Sequence, residues 1–237
     1  MTSNNKSFSL VFPAYNEETH IRKNIESFLH TKIFDEIIVV DNNSTDNTKV
    51  EIKKTTAKYL RERTQGYGVA LRKGMEASSG DYIVLCEPDS TFSAKDIHKF
   101  LAYLDDFDCV FGTRTAKLLI HKSAKMQFSL RMGNIFVAKI LQYMFLGPTL
   151  TDVGCTYKVI SRQAYNKIKE NLKIIGSEFQ PELMINLILK KNRILEIPVN
   201  YLEREGKSKI TYNFISSFRL ALKMLVLIFK LRIKSLF

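Results

Sequence analysis

The sequence predicts an α/β fold built on a mostly parallel central sheet with helices on both faces. Short apolar runs rich in β-formers alternate with stretches of helical length, and several of those runs stop abruptly on polar loops. With 45% apolar residues in a chain of 237, there is material for a sizeable core. The first strand is expected over Phe8 to Phe12, closing on Pro13-Ala14-Tyr15-Asn16-Glu17-Glu18, with an amphipathic helix from Glu17 to His30. Glu36 to Val40 reads as a second strand that stops on Asp41. The capping residues Asn42 to Asp46 then open a helix through about Lys58. Tyr59 to Arg63 reads as a short strand, and the glycine-bearing stretch Gln65 to Gly74 leads into a third helix.

Asp81 to Cys86 has the length of one buried strand and breaks at once into Glu87-Pro88-Asp89. In an open parallel sheet, ligands collect at the carboxyl ends of the strands. Two close carboxylates repel unless a cation sits between them, and hard oxygen ligands at such a turn suit Mg²⁺ or Mn²⁺ holding a diphosphate. The alternative is an acidic turn that caps the helix starting near Ser93. That helix is expected over Ala94 to Leu104, a strand follows at Cys109 to Gly112, and another helix runs from Gln127 to Phe145.

Composition narrows the functional classes. Three cysteines, Cys86, Cys109 and Cys155, are far apart with no CxxC, which fits a reducing compartment and argues against structural zinc. The short polar start, Met1 to Lys6, has no signal-peptide character. The net charge of +12 divides into −3 over residues 1 to 110 and +15 over residues 111 to 237. A basic half invites an anionic membrane or a phosphorylated substrate. No nucleic-acid-reading module is recognisable and Trp is absent, so nucleic acid is disfavoured. The glycines at 66 and 68 follow no first-strand GxGxxG, which disfavours a dinucleotide-binding fold.

Read together, Pro13-Ala14-Tyr15-Asn16-Glu17, Asp41 to Asp46, Gly68 with Ala70 and Gly74, and Glu87-Pro88-Asp89 resemble, in order and spacing, family 2 glycosyltransferases of the GT-A fold. Gly112-Thr113-Arg114, Arg131 to Asn134, Thr151 to Lys158 and Glu196-Ile197-Pro198-Val199 extend the likeness to dolichyl- or polyprenyl-phosphate sugar transferases, over roughly residues 8 to 210. The resemblance implies a GT-A domain over 1–213, with a nucleotide-sugar half (1–110) and an acceptor half (111–213). It implies that Pro13, Ala14, Tyr15, Glu17, Asp41, Asn43, Gly68 and Pro88 line the site of a UDP- or GDP-linked sugar. Asp89 would bind Mg²⁺ or Mn²⁺, joined by Glu87, which stands where the family usually has the first aspartate of DxD. Arg114 and Arg131 would meet the acceptor phosphate. No QxxRW is present, so single transfer rather than processive synthesis is expected.

If the acceptor is a lipid phosphate, no protein base is required; if it is a hydroxyl, Asp152 or Glu182 is the candidate base. A non-catalytic nucleotide-sugar or lipid-head-group binding module is the rival from another class. Residues 115 to 126 read as a mobile basic loop. Residues 214 to 237 form an apolar run with charges set in it, too interrupted to span a bilayer. On a helix, Arg219, Lys223, Lys230 and Lys234 fall within about 60° of one another, leaving a broad apolar face. Such a helix either lies in a membrane interface or packs on its own domain. Together these readings place the protein peripherally on the cytoplasmic membrane face.

Overall fold

A computed structural model describes residues 6–124, 128–205 and 214–236. Seven strands form one sheet in the order β3-β2-β1-β4-β6-β5-β7. They are β1 (Phe8–Ala14), β2 (Glu36–Asp41), β3 (Lys58–Arg61), β4 (Tyr82–Leu85), β5 (Cys109–Thr113), β6 (Lys158–Ser161) and β7 (Ile194–Pro198). β6 runs antiparallel to both β4 and β5, and all other pairings are parallel. The expected mostly parallel sheet is present, with one reversed strand that the residues around Lys158 do not advertise.

The helices are α1 (Ile21–Leu29), α2 (Thr48–Lys53), α3 (Tyr67–Ala77), α4 (Ile97–Leu101), α5 (Phe128–Phe145), α6 (Arg162–Asn166), α7 (Phe179–Leu189) and α8 (Phe214–Lys234). Three differ from expectation in extent: α1 begins at Ile21 rather than Glu17, whose amide donates to Thr48 Oγ1 across the loops. α2 covers only Thr48–Lys53, because Ser44, Thr45, Asp46 and Thr48 are taken up in hydrogen bonds with the loops after β1 and β2 rather than in helix. The helix expected over Ala94 to Leu104 is a 3₁₀ turn, Ala94–Asp96, followed by α4. Residues 115 to 124 are tied down rather than loose: a 3₁₀ turn spans Lys117–Leu119, and both Ile120 and Phe92 bridge to Tyr201.

Two apolar layers cover the sheet. One gathers α1, α4 and the aromatic group Phe12, Phe28, Phe100 and Tyr157; the other gathers α3, α5, α7 and α8. At Gly74 the α3 backbone lies so close to β1 that an added Cβ would stand 2.3 Å from Val11 Cγ1, and only glycine fits there.

α8 is two-faced. Met224, Leu227 and Ile228 are buried in the same layer as α5 and α7. Ile215, Phe218, Leu222, Val226, Phe229 and Ile233 are all more than half exposed and recur every three or four residues. At roughly 100° per residue they make a stripe about 80° wide, and Arg219, Lys223, Lys230 and Lys234 line one flank of it. The two readings of this helix are therefore not exclusive: one face packs on the domain while another remains apolar and uncovered. No described helix is long and apolar enough to cross a membrane.

Candidate active site

The loops after β1, β2 and β4 each hold one non-glycine residue in the left-handed region: Asn16 (φ 53°), Asn43 (φ 66°) and Ser90 (φ 63°). Such backbone costs energy, of order 1 kcal/mol or more each, and tends to cluster at ligand sites. Cross-bonds between the loops hold them. Asn16 Oδ1 accepts from the Thr45 amide at 2.8 Å, and the Glu17 amide donates to Thr48 Oγ1 at 2.7 Å. Asn24 of α1 donates to the Pro88 carbonyl and to Ser90 Oγ, both at 3.0 Å, and so steadies the acidic turn.

Pro13 and Ala14 end β1 beside Val40 and Asp41 of β2. Asp41 is buried, its Oδ1 accepting from the Ser44 amide and its Oδ2 from the Tyr59 hydroxyl, both at 2.9 Å. Burial and that carboxylate push the Tyr59 phenol up to about 12, so it remains a donor. Tyr15 is exposed, Asn43 Oδ1 accepts from Arg61, and Glu17 pairs with the buried His20 ring. Gly68 is packed tightly: its amide donates to the Ile175 carbonyl at 2.7 Å, and a Cβ there would lie 2.4 Å from the Ile174 carbonyl oxygen.

Glu87 and Asp89 converge at the end of β4. Asp89 is 2% exposed; its Oδ1 accepts from the amide and hydroxyl of Thr91. Its Oδ2 is buried and accepts no hydrogen bond among the described residues. Burial first, then the charge of Asp89, raises the Glu87 carboxyl to about 8. A buried carboxylate oxygen that accepts no hydrogen bond, beside a second carboxylate that repels it, draws a cation: here Arg204 Nη2 stands 2.7 Å from it, and a hard divalent cation suits the same pair of oxygens. No group of three or more His, Cys, Asp or Glu placed to hold a metal ion occurs among the described residues, so the remaining donors to a cation on Glu87 and Asp89 would be phosphate or water oxygens.

After β5, Arg114 is held by Asp152, which accepts from Arg114 Nε at 2.8 Å, Nη2 at 2.9 Å and the Arg114 amide at 3.0 Å. The Gly154 amide adds a fourth bond. Burial would raise the Asp152 carboxyl, but the Arg114 guanidinium outweighs it and holds it below the ordinary range. Glu196 of β7 in turn receives the Thr151 amide and hydroxyl and the Asp152 amide. Arg114 lies against the Tyr201 ring, 5.3 Å from its centroid, and its charge reaches Glu87. Arg131, on α5, carries its guanidinium over the Phe128 ring, 5.6 Å from the centroid, while Asn134 one turn on reaches the Arg114 neighbourhood: a Cβ at Gly154 would lie 2.6 Å from Asn134 Oδ1 and 3.0 Å from Arg114 Nη2.

Glu182 stands in the first turn of α7, buried, and accepts from the amides of Lys173 and Ile174. It thereby braces the loop against which Gly66 and Gly68 pack. Three participants were not singled out by the sequence reading. Arg204 reaches both acids of the β4 turn, Glu196 supports Asp152, and Gln180 is buried on α7 with Nε2 donating to Tyr67, a ring that feels the Glu87 charge. Glu196 has a signal as part of the Glu196 to Val199 motif, and Arg204 lies in the polar segment Glu203 to Lys209 that family 2 glycosyltransferases also show before a carboxyl-terminal helix; nothing in a lone Gln marks Gln180.

The family model described as glycosyl transferase family 2 matches residues 9–169. A "Low-salt glycan biosynthesis hexosyltransferase Agl6" of Haloferax volcanii is 28% identical over 210 residues, 86% of this chain and 50% of that protein; the chain thus spans half its length. A "Dolichyl-phosphate hexose transferase" of the same organism is 29% identical, covering 85% of this chain and 86% of the relative. A human "Dolichyl-phosphate beta-glucosyltransferase" is 25% identical over 87% of this chain and 71% of its own length. Among solved structures, glucosyl-3-phosphoglycerate synthase from Mycobacterium tuberculosis, crystallised with Mn²⁺, UDP and glucosyl-3-phosphoglycerate, superposes with a TM-score of 0.72. At 18% identity, over 96% of this chain and 80% of that one, the likeness speaks to the fold.

Proposed function

The chain belongs to glycosyl transferase family 2, and on that premise we propose that it transfers one sugar, with inversion, from a nucleoside-diphosphate donor to a polyprenyl phosphate at the cytoplasmic face of a membrane. The observation that carries this reading is the pairing, at one sheet edge, of an acidic turn with an underused oxygen and an arginine braced by a buried carboxylate. The first suits the metal-bound diphosphate of a donor; the second suits the phosphate of an acceptor. The relatives named for dolichyl phosphate support the same substrate class.

Mg²⁺ or Mn²⁺ on Asp89 and Glu87 would supply neutralisation of the charge gathering on the departing diphosphate. The chain's own part is positioning. Asp41 with Tyr59, and the loops around Asn16 and Asn43, shape the nucleoside side. Arg114, held by Asp152, and Arg131 on α5 orient the acceptor phosphate towards the anomeric carbon. A phosphate monoester is mostly dianionic at neutral pH and is its own nucleophile. Neither candidate base is at liberty: Asp152 is committed to Arg114, and Glu182 to two backbone amides. The residue two before Glu182 on α7, Gln180, is an amide bonded to the Tyr67 hydroxyl and cannot take up a proton.

The apolar stripe of α8, with its basic flank, supports docking on an anionic lipid surface, where a polyprenyl phosphate is presented. Exposed Phe128, Met132 and Phe136 on α5 carry apolar surface onto a second helix. The test is transfer itself. The full-length protein is incubated with labelled UDP- and GDP-sugars, Mn²⁺ or Mg²⁺, and short polyprenyl phosphate. Label should move into the lipid phase with one donor. Tight nucleotide binding without transfer from any donor would favour the binding-module reading.

A further inference from the structure

The acidic turn already has a cation on it. Arg204, in the segment that follows β7, places Nη2 2.7 Å from Asp89 Oδ2 and 3.2 Å from Glu87 Oε2. The Asp89 contact is charge on charge rather than an aligned hydrogen bond, since that oxygen accepts none. One guanidinium nitrogen therefore occupies the space between the same two oxygens that a divalent cation would need. Two cations on one carboxylate pair repel strongly in a half-buried site.

The backbone that carries Arg204 is fastened to the turn itself. The Leu202 amide donates to the Thr91 carbonyl at 2.8 Å, and the Glu205 amide to the Asp89 carbonyl at 3.2 Å. Lys23 of α1 pairs with Glu205 at 2.5 Å, and Tyr201 packs edge-on against Phe92. These contacts hold the backbone and, among the described residues, leave the Arg204 side chain to its ion pairs alone. An arginine side chain is long enough to swing several ångströms from a fixed Cα, and its planar fork of donors matches a phosphate better than a lone carboxylate oxygen.

We propose that Arg204 and the divalent cation compete for Glu87 and Asp89, so that metal binds tightly only together with a nucleoside diphosphate whose phosphates receive the displaced guanidinium. The proposal rests on the metal-dependent donor site of the previous subsection. It makes metal and nucleotide reciprocal effectors: each raises the affinity of the other by the same factor. A carboxylate pair facing only solvent would show no such dependence on a distant arginine.

The test is equilibrium Mn²⁺ binding to the full-length protein, read from the EPR signal of free Mn²⁺, without nucleotide and with saturating UDP or GDP. Arg204→Gln should bind Mn²⁺ alone about tenfold more tightly than wild type, and the tightening produced by nucleotide should shrink by a similar factor. Arg204→Lys, which keeps the charge but loses the fork, should fall between the two, and it carries the test if circular dichroism shows that Arg204→Gln has not folded. Lys95→Gln removes an exposed cation six residues beyond Asp89 and should leave Mn²⁺ affinity unchanged. Equal Mn²⁺ affinity and equal nucleotide coupling in wild type and folded Arg204 variants would overturn the proposal alone, as would an equal gain in Lys95→Gln. No Mn²⁺ uptake by any form, even with nucleotide, would overturn the metal site and the proposal with it.

Discussion

Asp89 and Asp152 are equally buried, each 2% exposed, yet they are treated in opposite ways. Asp152 has every oxygen engaged, by three nitrogens of Arg114 and the amide of Gly154. Asp89 has one oxygen used by Thr91, while the other accepts no aligned hydrogen bond among the described residues and meets only the Arg204 guanidinium, 2.7 Å away, with a second acid beside it. A buried carboxylate saturated by its own chain holds something else in place; one met by a single long side chain has an oxygen that another cation can take over. The same contrast follows the charge along the chain: residues 1 to 110, at net −3, supply Glu87 and Asp89, while residues 111 to 237, at net +15, supply Arg114 braced by Asp152.

If that division is right, Asp89→Asn should reduce transfer the most, by about 10²–10³-fold or more, with loss of Mn²⁺ binding and a near-normal melting temperature. Retained transfer with unaltered Mn²⁺ binding would erase the distinction between the two aspartates. Asp152→Asn should do the reverse and reduce stability first. Chemical denaturation should show a fall of roughly 3 kcal/mol, because Arg114 is left buried without its counter-charge, while Mn²⁺ affinity stays put.

Acid titration refines the same pair. Asp152 has a folded pKa below its ordinary value of 3.8, so its ion pair stabilises the protein fully above that value and is lost as pH falls through the folded pKa. Thermal melts of wild type should drop on this acid limb, and Asp152→Asn should flatten it. Replacing Phe218 and Phe229 by Ser should weaken binding to anionic liposomes about tenfold with little change in melting, since both side chains are exposed. An unchanged liposome affinity would remove α8 from the membrane contact. The smallest effect is expected for Glu182→Gln. It should lower stability by roughly 1–2 kcal/mol through two weakened amide contacts, and leave turnover on a lipid phosphate nearly intact.

Much of this was legible from local pattern. The apolar runs at Phe8, Glu36 and Asp81 each stop on the polar residues that form the site, and the structure keeps all three strands. The α8 periodicity showed one apolar face, and the structure divides it into a packed part and an exposed part because α5 and α7 cover only one side. What escaped was set by distant contacts. The reversal of β6 is fixed by its neighbours β4 and β5 rather than by its own four residues. α2 is shorter than its run of capping residues suggests because Ser, Thr and Asp serve loop cross-bonds as readily as helix caps. Arg204 meets Glu87 across 117 positions of chain, a contact that no spacing in the sequence announces.

The central claim, a phosphate acceptor aligned by arginines with no protein base, is tested most directly by comparing acceptors. Wild type and Glu182→Gln are each given the active sugar nucleotide, Mn²⁺, and either a short polyprenyl phosphate or the corresponding polyprenol. Glycolipid should form from the phosphate alone, at nearly equal rates in both proteins. Product from the alcohol, abolished by Glu182→Gln, would contradict it.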